Sequence, residues 1–155
     1  MRGDDLRAYL DQKGVKYVSI RHSPAYTAQE VAASAHIPAQ KMAKIVMVKL
    51  DGKLVMVVVP AADRVVFDLL KETTGAGQVE LANELEFAAL FPNCERGAMA
   101  PFGHLHNLEV YVAEDLAEQE EIAFNAGSFT ELIQMRYVDF ASLVQPKVLH
   151  LSARV

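Results

Sequence analysis

Residues 44–60 constrain the fold more than any other stretch of this 155-residue chain. Two β-rich apolar runs, 44–50 and 53–60, are joined by Asp51-Gly52. Val and Ile suit an extended backbone, and an Asp-Gly pair accepts the positive φ angles of a type I′ turn, so the segment predicts a β-hairpin in a central sheet.

Around this hairpin, helix and strand signals alternate. Leu6 and Leu10 among polar residues predict a helix from Asp4 or Asp5 to Gly14, followed by a strand over 15–20. Thr27-Ala-Gln-Glu30 has the form of a capping box and opens a helix that runs to about His36, before Pro38. Asp63 is placed to cap a helix through Lys71, and 80–90 reads as another. Residues 97–103 form a glycine-bracketed loop; strands follow over 108–112, 122–125 and 132–135, then a helix over 137–144 stopped by Pro146, and a final strand over 148–151. The interleaving predicts an α+β fold with a mixed, curved sheet in one domain spanning 1–155.

Composition sets outer bounds. Hydrophobic residues make up 52% and charged residues 23%, enough to pack a core, and the longest apolar run is far shorter than the roughly 20 residues that cross a bilayer. We expect no membrane association and a cytoplasmic location. The net charge of −5 argues against coating nucleic acid by bulk electrostatics but leaves room for a local basic site. One cysteine, Cys94, excludes an intramolecular disulfide and points to a reducing compartment.

The chemistry-bearing residues divide into weak and informative signals. His104 and His106 share a strand parity and Cys94 lies upstream, but no HExxH or CxxC spacing supports a zinc site, so loop-packing histidines are the favoured reading and a metal is not expected. Ser23 beside His22, Ser128 and Cys94 lack a nucleophile motif. The loop 97–103 has no phosphate-cradle spacing, although its small residues let backbone N–H groups approach a ligand. Lys44 is the most informative charge. It shares strand parity with Val46, Val48 and Leu50, so its ammonium either snorkels to water or sits at a pocket rim; Lys41, Lys49 and Lys53 could equally be solvated.

Taken in order, His22-Ser-Pro24, the box at Thr27, Lys44 at the head of the hairpin, the loop Gly97-Ala-Met-Ala-Pro-Phe-Gly103 and Phe124-Asn-Ala-Gly-Ser128 resemble the YbaK/prolyl-tRNA synthetase-associated domain family of aminoacyl-tRNA deacylases. The likeness covers about residues 3–150. It implies a mixed, barrel-like sheet surrounded by helices, and a pocket that removes a misattached small amino acid from tRNA, with tRNA for proline as the expected partner. An aminoacyl-tRNA synthetase is a second candidate partner, DNA is not one, and a non-catalytic module that holds aminoacyl-tRNA or a nucleotide in the same pocket is the alternative. The implied catalytic set is Lys44, Gly97, Pro101 and Gly103. The implied substrate-binding set is His22, Thr27, Lys49, Met99 and Phe102, with Asn125, Gly127, Ser128 and Phe129 from the later loop. Phe129 stands where relatives often carry a histidine, and Ala100 where a second proline is common; the first departure bears on which amino acid is accepted.

Overall fold

The computed structural model describes residues 3–22, 27–92, 94–95 and 97–155. Its centre is the hairpin: β2 (Ala43–Leu50) and β3 (Lys53–Pro60) pair antiparallel from Ala43↔Pro60 to Leu50↔Lys53. Asp51 and Gly52 take φ of 50° and 84°, as a type I′ turn requires. From the start of the chain come helix α1 (Gly3–Gln12), strand β1 (Tyr17–Arg21) and helix α2 (Ala28–Ser34). After the hairpin come β4 (Asp63–Val65), α3 (Phe67–Thr74), β5 (Val79–Leu81) and the short helix α4 (Glu84–Phe87), which runs into a 3-10 turn over Ala88–Leu90. A second 3-10 turn, Gly103–His106, precedes β6 (Val110–Ala113), α5 (Glu114–Ala117), β7 (Glu121–Asn125), β8 (Glu131–Arg136), α6 (Tyr137–Val144), β9 (Lys147–Leu149) and β10 (Ser152–Arg154).

The fold is α+β. A five-stranded sheet, β5-β2-β3-β6-β9, is mixed: β3 runs parallel to β6 and β6 to β9, while β5, β2 and β3 are antiparallel neighbours. A three-stranded antiparallel sheet, β1-β8-β7, and the pair β10-β4 complete it, so the strands divide among three sheets and close no barrel among the described residues. A parallel bridge between Met42 and Ala123 fastens the second sheet to the first just before Lys44.

The hairpin is buried on both faces, which explains why β3 is apolar almost throughout. Met47, Met56 and Val58 pack with Leu6, Phe102, Phe124 and Phe140 on one side. Val48, Val55, Val57 and Val59 pack with Leu70, Tyr111 and Leu151 on the other. No helix among the described residues is long and apolar enough to cross a membrane.

Two expected helices begin later than the sequence pattern placed them. Residues 63–65 are a strand paired with β10, because the Asp63 carboxylate accepts a hydrogen bond from Ser152 Oγ at 2.7 Å instead of capping a helix. Residues 79–81 pair with the edge of β2, and the helix after them opens at Asn83, whose side chain and that of Glu86 form a capping box. The expected last strand is two, β9 and β10.

Candidate active site

Lys44 sits near the beginning of β2, opposite Val59. Its half-buried ammonium donates to the Asp63 carbonyl at 2.5 Å, across the loop that leaves β3. Burial pushes its pKa below the ordinary lysine value, and the negative charge of Asp63 offsets part of that shift. Thr27 lies at the N-cap of α2, where Oγ1 accepts from the Glu30 N–H at 3.0 Å.

Two loops are laced together beside Lys44. Ala98 donates to the Glu95 carbonyl, Gly127 to the Ala98 carbonyl and Glu95 to the Gly127 carbonyl, all at 2.9–3.0 Å. A carboxylate oxygen of Glu95 also accepts from the Phe129 N–H at 2.5 Å. Gly97 and Gly127 supply the φ values of +78° and +89° on which this lacing depends. The Phe129 ring lies over Gly97, with Cζ 3.5 Å from where a Cβ would stand.

Lys44 and these loops border one cleft of about 250 Å³. Its lining includes Thr27, Lys44, Gly97, Met99, Asn125 and Phe129. Asn125 is 8% exposed, and its Oδ1 has no hydrogen-bond partner among the described residues. The backbone N–H groups of Gly97 and Met99 likewise meet no partner among the described residues. The lining of this one cleft thus includes a lysine, two residues whose backbone N–H groups are unengaged and a carboxamide side chain.

A second cleft of about 170 Å³ adjoins the first, sharing Ile45, Gly97 and Met99 with it. Met47, Phe87 and Phe91 supply apolar walls, with Cys94 and the carboxylate-bearing Glu84 and Glu95 also bordering it. Sequence reasoning missed this cleft. The available signal was Phe87 and Phe91 four residues apart, just ahead of the glycine loop.

A model of the aminoacyl-tRNA editing domain matches residues 22–143. The chain belongs to the aminoacyl-tRNA editing domain family. The proline--tRNA ligase of Bacillus mycoides (strain KBAB4) is 38% identical over 82 residues, which span 53% of this chain and 14% of the ligase. That of Bacillus cereus (strain AH187) matches to the same extent, so the chain corresponds to 14% of the length of these relatives. A solved structure of a candidate trans-editing enzyme for prolyl tRNA synthetase superposes with a TM-score of 0.80 at 20% identity, covering 97% of this chain and 96% of that one; the likeness is one of fold.

Within this editing domain, five of the residues that sequence reasoning implied as catalytic or substrate-binding border the cleft that contains Lys44: Thr27, Gly97, Met99, Asn125 and Phe129. Others lie elsewhere. Phe102, 2% exposed, is a core residue and not a cleft wall: its ring meets those of Tyr9, Phe124 and Phe140 edge-on at centroid distances of 6.0, 5.5 and 5.5 Å. Gly103 is also a packing position, because a Cβ there would stand 2.9 Å from Val110 Cγ2. Pro101 is buried and lines neither cleft. Lys49 points to α4, paired with Glu86 at 2.8 Å and Glu80 at 3.6 Å, which raises its pKa. Gly127 serves the lacing, Ser128 Oγ lies 3.4 Å from Thr130 Oγ1, and the His22 N–H donates to the Thr130 carbonyl at 2.9 Å. Ser23 and Pro24 lie outside the described residues. The histidines have packing partners: His104 Nε2 is 3.1 Å from the Tyr9 hydroxyl and the His106 ring lies 4.5 Å from that of Phe91. Among the described residues no group of three or more His, Cys, Asp or Glu is placed to hold a metal ion.

Proposed function

We propose that the Lys44 cleft hydrolyses the ester joining a misattached small amino acid, such as alanine or cysteine, to tRNA for proline. The observation that carries this reading is the meeting of Lys44 with the 97–99 loop in one cleft, inside the segment matched by the editing-domain family. The 38% identity to proline--tRNA ligases supports the choice of tRNA, and makes a prolyl-tRNA synthetase the second partner we propose.

The chemistry follows from the groups present. Water, held by a ribose hydroxyl of the tRNA, attacks the ester carbonyl and gives up a proton. The bond to the ribose oxygen then breaks, that oxygen takes a proton, and the amino acid leaves. Negative charge develops on the carbonyl oxygen in the tetrahedral intermediate, where the unengaged N–H groups of Gly97 and Met99 supply preorganised donors. Lys44 holds the phosphate or ribose of the terminal nucleotide and Asn125 orients the aminoacyl group, which turns encounter into alignment. In this reading Lys44 supplies the positive charge and no metal takes part. Such an activity answers a real shortfall, since one methylene discriminates by only about 1–3 kcal/mol in a synthetase pocket. The domain would work in the cytoplasm, where charged tRNA is made.

A panel of mischarged tRNAs tests the proposal. Alanyl- or cysteinyl-tRNA for proline should lose its amino acid faster with the protein than without, while correctly charged prolyl-tRNA stays intact. Acceleration of no charged species overturns the proposal; tRNA binding without cleavage would leave a binding module.

A further inference from the structure

We propose that Asp63 and Ser152 are positioning residues for Lys44, which together hold its ammonium in place at the cleft. The inference rests on the deacylase reading and adds to it the means by which the cation is aimed. A lysine carries its point charge on a flexible four-carbon stem, so a strand fixes where the stem begins but not where the ammonium ends. Here the end is fixed by the Asp63 carbonyl, which accepts from the ammonium at 2.5 Å.

Asp63 is itself held. The Ala61 N–H donates to the carbonyl of Met42, just before β2, at 2.7 Å, which ties the turn after β3 to the strand that bears Lys44. On the other side Ser152–Arg154 of β10 pair with Asp63–Val65, and the Val66 N–H donates to the Leu151 carbonyl at 2.9 Å and the Val155 N–H to the Ala62 carbonyl at 3.0 Å. Within this frame Asp63 is 2% exposed, and its carboxylate accepts from Ser152 Oγ at 2.7 Å, the length of a charge-assisted bond. The family match ends at residue 143, so Ser152 acts on the site from beyond the matched segment.

Closing two short strands does not call for a carboxylate. A buried charge is costly unless it is paired, and an apolar residue would join β4 to β10 as well. What the carboxylate adds is its charge, which offsets part of the downward pressure that burial puts on the Lys44 pKa. Asp115 of α5 also hydrogen-bonds to Asp63, Arg154 stands opposite it on β10, and Glu114, Glu118 and His150 border the same outer cleft.

The test reads Lys44 directly, in the full chain labelled with ¹⁵N-lysine, its ammonium resonance assigned by its disappearance in Lys44→Arg. Ser152→Ala should move that resonance and speed its proton exchange with water. The same variant should slow single-turnover hydrolysis of alanyl-tRNA for proline by about tenfold or more, because a small misplacement of a binding group is costly. Ser152→Thr, which keeps the hydroxyl, should restore both. Asp63→Asn preserves the size and the backbone carbonyl but removes the charge, so the Lys44 pKa should fall further below the ordinary lysine value. An unmoved resonance of Lys49, held by Glu86 at 2.8 Å, would confirm that each variant is folded. A Lys44 resonance that Ser152→Ala leaves in place, or a Lys44 pKa that Asp63→Asn leaves unchanged, overturns the inference. So does a wild-type rate in Ser152→Ala when the resonance has moved. A wild type that cleaves no charged tRNA, with a Lys44 resonance that responds to Ser152→Ala, supports the positioning of the ammonium and sinks the deacylase alone.

Discussion

Gly97 and Gly103 bracket one loop for different physical reasons. Gly97 is held by its φ of +78°, Gly103 by space: a Cβ there would meet Val110 Cγ2 at 2.9 Å, Met56 Sδ at 3.2 Å and Leu108 Cβ at 3.3 Å. Gly103→Ala is therefore expected to cost about 1–3 kcal/mol by overpacking. Urea denaturation should show that loss while single-turnover hydrolysis by the folded fraction persists; a lost rate with intact stability would return Gly103 to the chemistry. Asp115 makes a second residue-scale prediction. Burial, then its hydrogen bond to Asp63 and the charge of Asp63, raise its pKa from 3.8 to about 6. The native state thus binds a proton that the unfolded chain releases, so this group's contribution is full below about pH 3.8 and is lost as pH rises through about 6. Asp115→Asn removes that loss. The carboxyl is half-buried, and with solvent screening discounted the variant should gain on the order of 1 kcal/mol at pH 7 and nothing at pH 3, read from urea midpoints. The sequence singled out Lys44 and Gly97 correctly as neighbours in the fold, but it could not tell that Phe102 and Gly103 turn inward, because a loop has no periodicity to assign its faces.

Elements were legible where their own residues determine them. The hairpin was readable from its β-branched runs and Asp51-Gly52, and α6 spans Tyr137–Val144 as expected, stopped ahead of Pro146. β4 and β5, three residues each, were not legible, since their conformation is decided by β10 and the edge of β2. The four-residue helix α5 was missed because so short a segment carries no helical period. At α2, Thr27 joins element to site, capping the helix and bordering the cleft. Thr27→Ala should cost about 1 kcal/mol, the usual loss of an N-cap hydroxyl. Thr27→Ser, which keeps the acceptor, should restore stability in thermal melts; failure of serine to restore it would mean that the cap is not what the threonine contributes.

The whole molecule carries a charge of −5, and two of its hairpin lysines are engaged: Lys49 with Glu86 and Glu80, Lys53 with Glu109 at 3.1 Å. Under the proposed function, RNA contact falls mainly to Lys44 and Lys41. A salt titration of tRNA binding should give a shallow slope, corresponding to about two to four phosphate contacts, and a slope demanding about eight would reveal a basic surface that these residues do not account for. The central claim is that the cleft joining Lys44 to the 97–99 loop is where the ester is broken. Lys44→Ala removes the ammonium and its bond to the Asp63 carbonyl, at a cost in stability of about 0.5–1.5 kcal/mol. The most direct measurement is the single-turnover rate on alanyl-tRNA for proline, wild type against Lys44→Ala, at a temperature where both are folded. The account predicts a loss of about 10²-fold or more, the scale of a preorganised electrostatic contact; equal rates would contradict it.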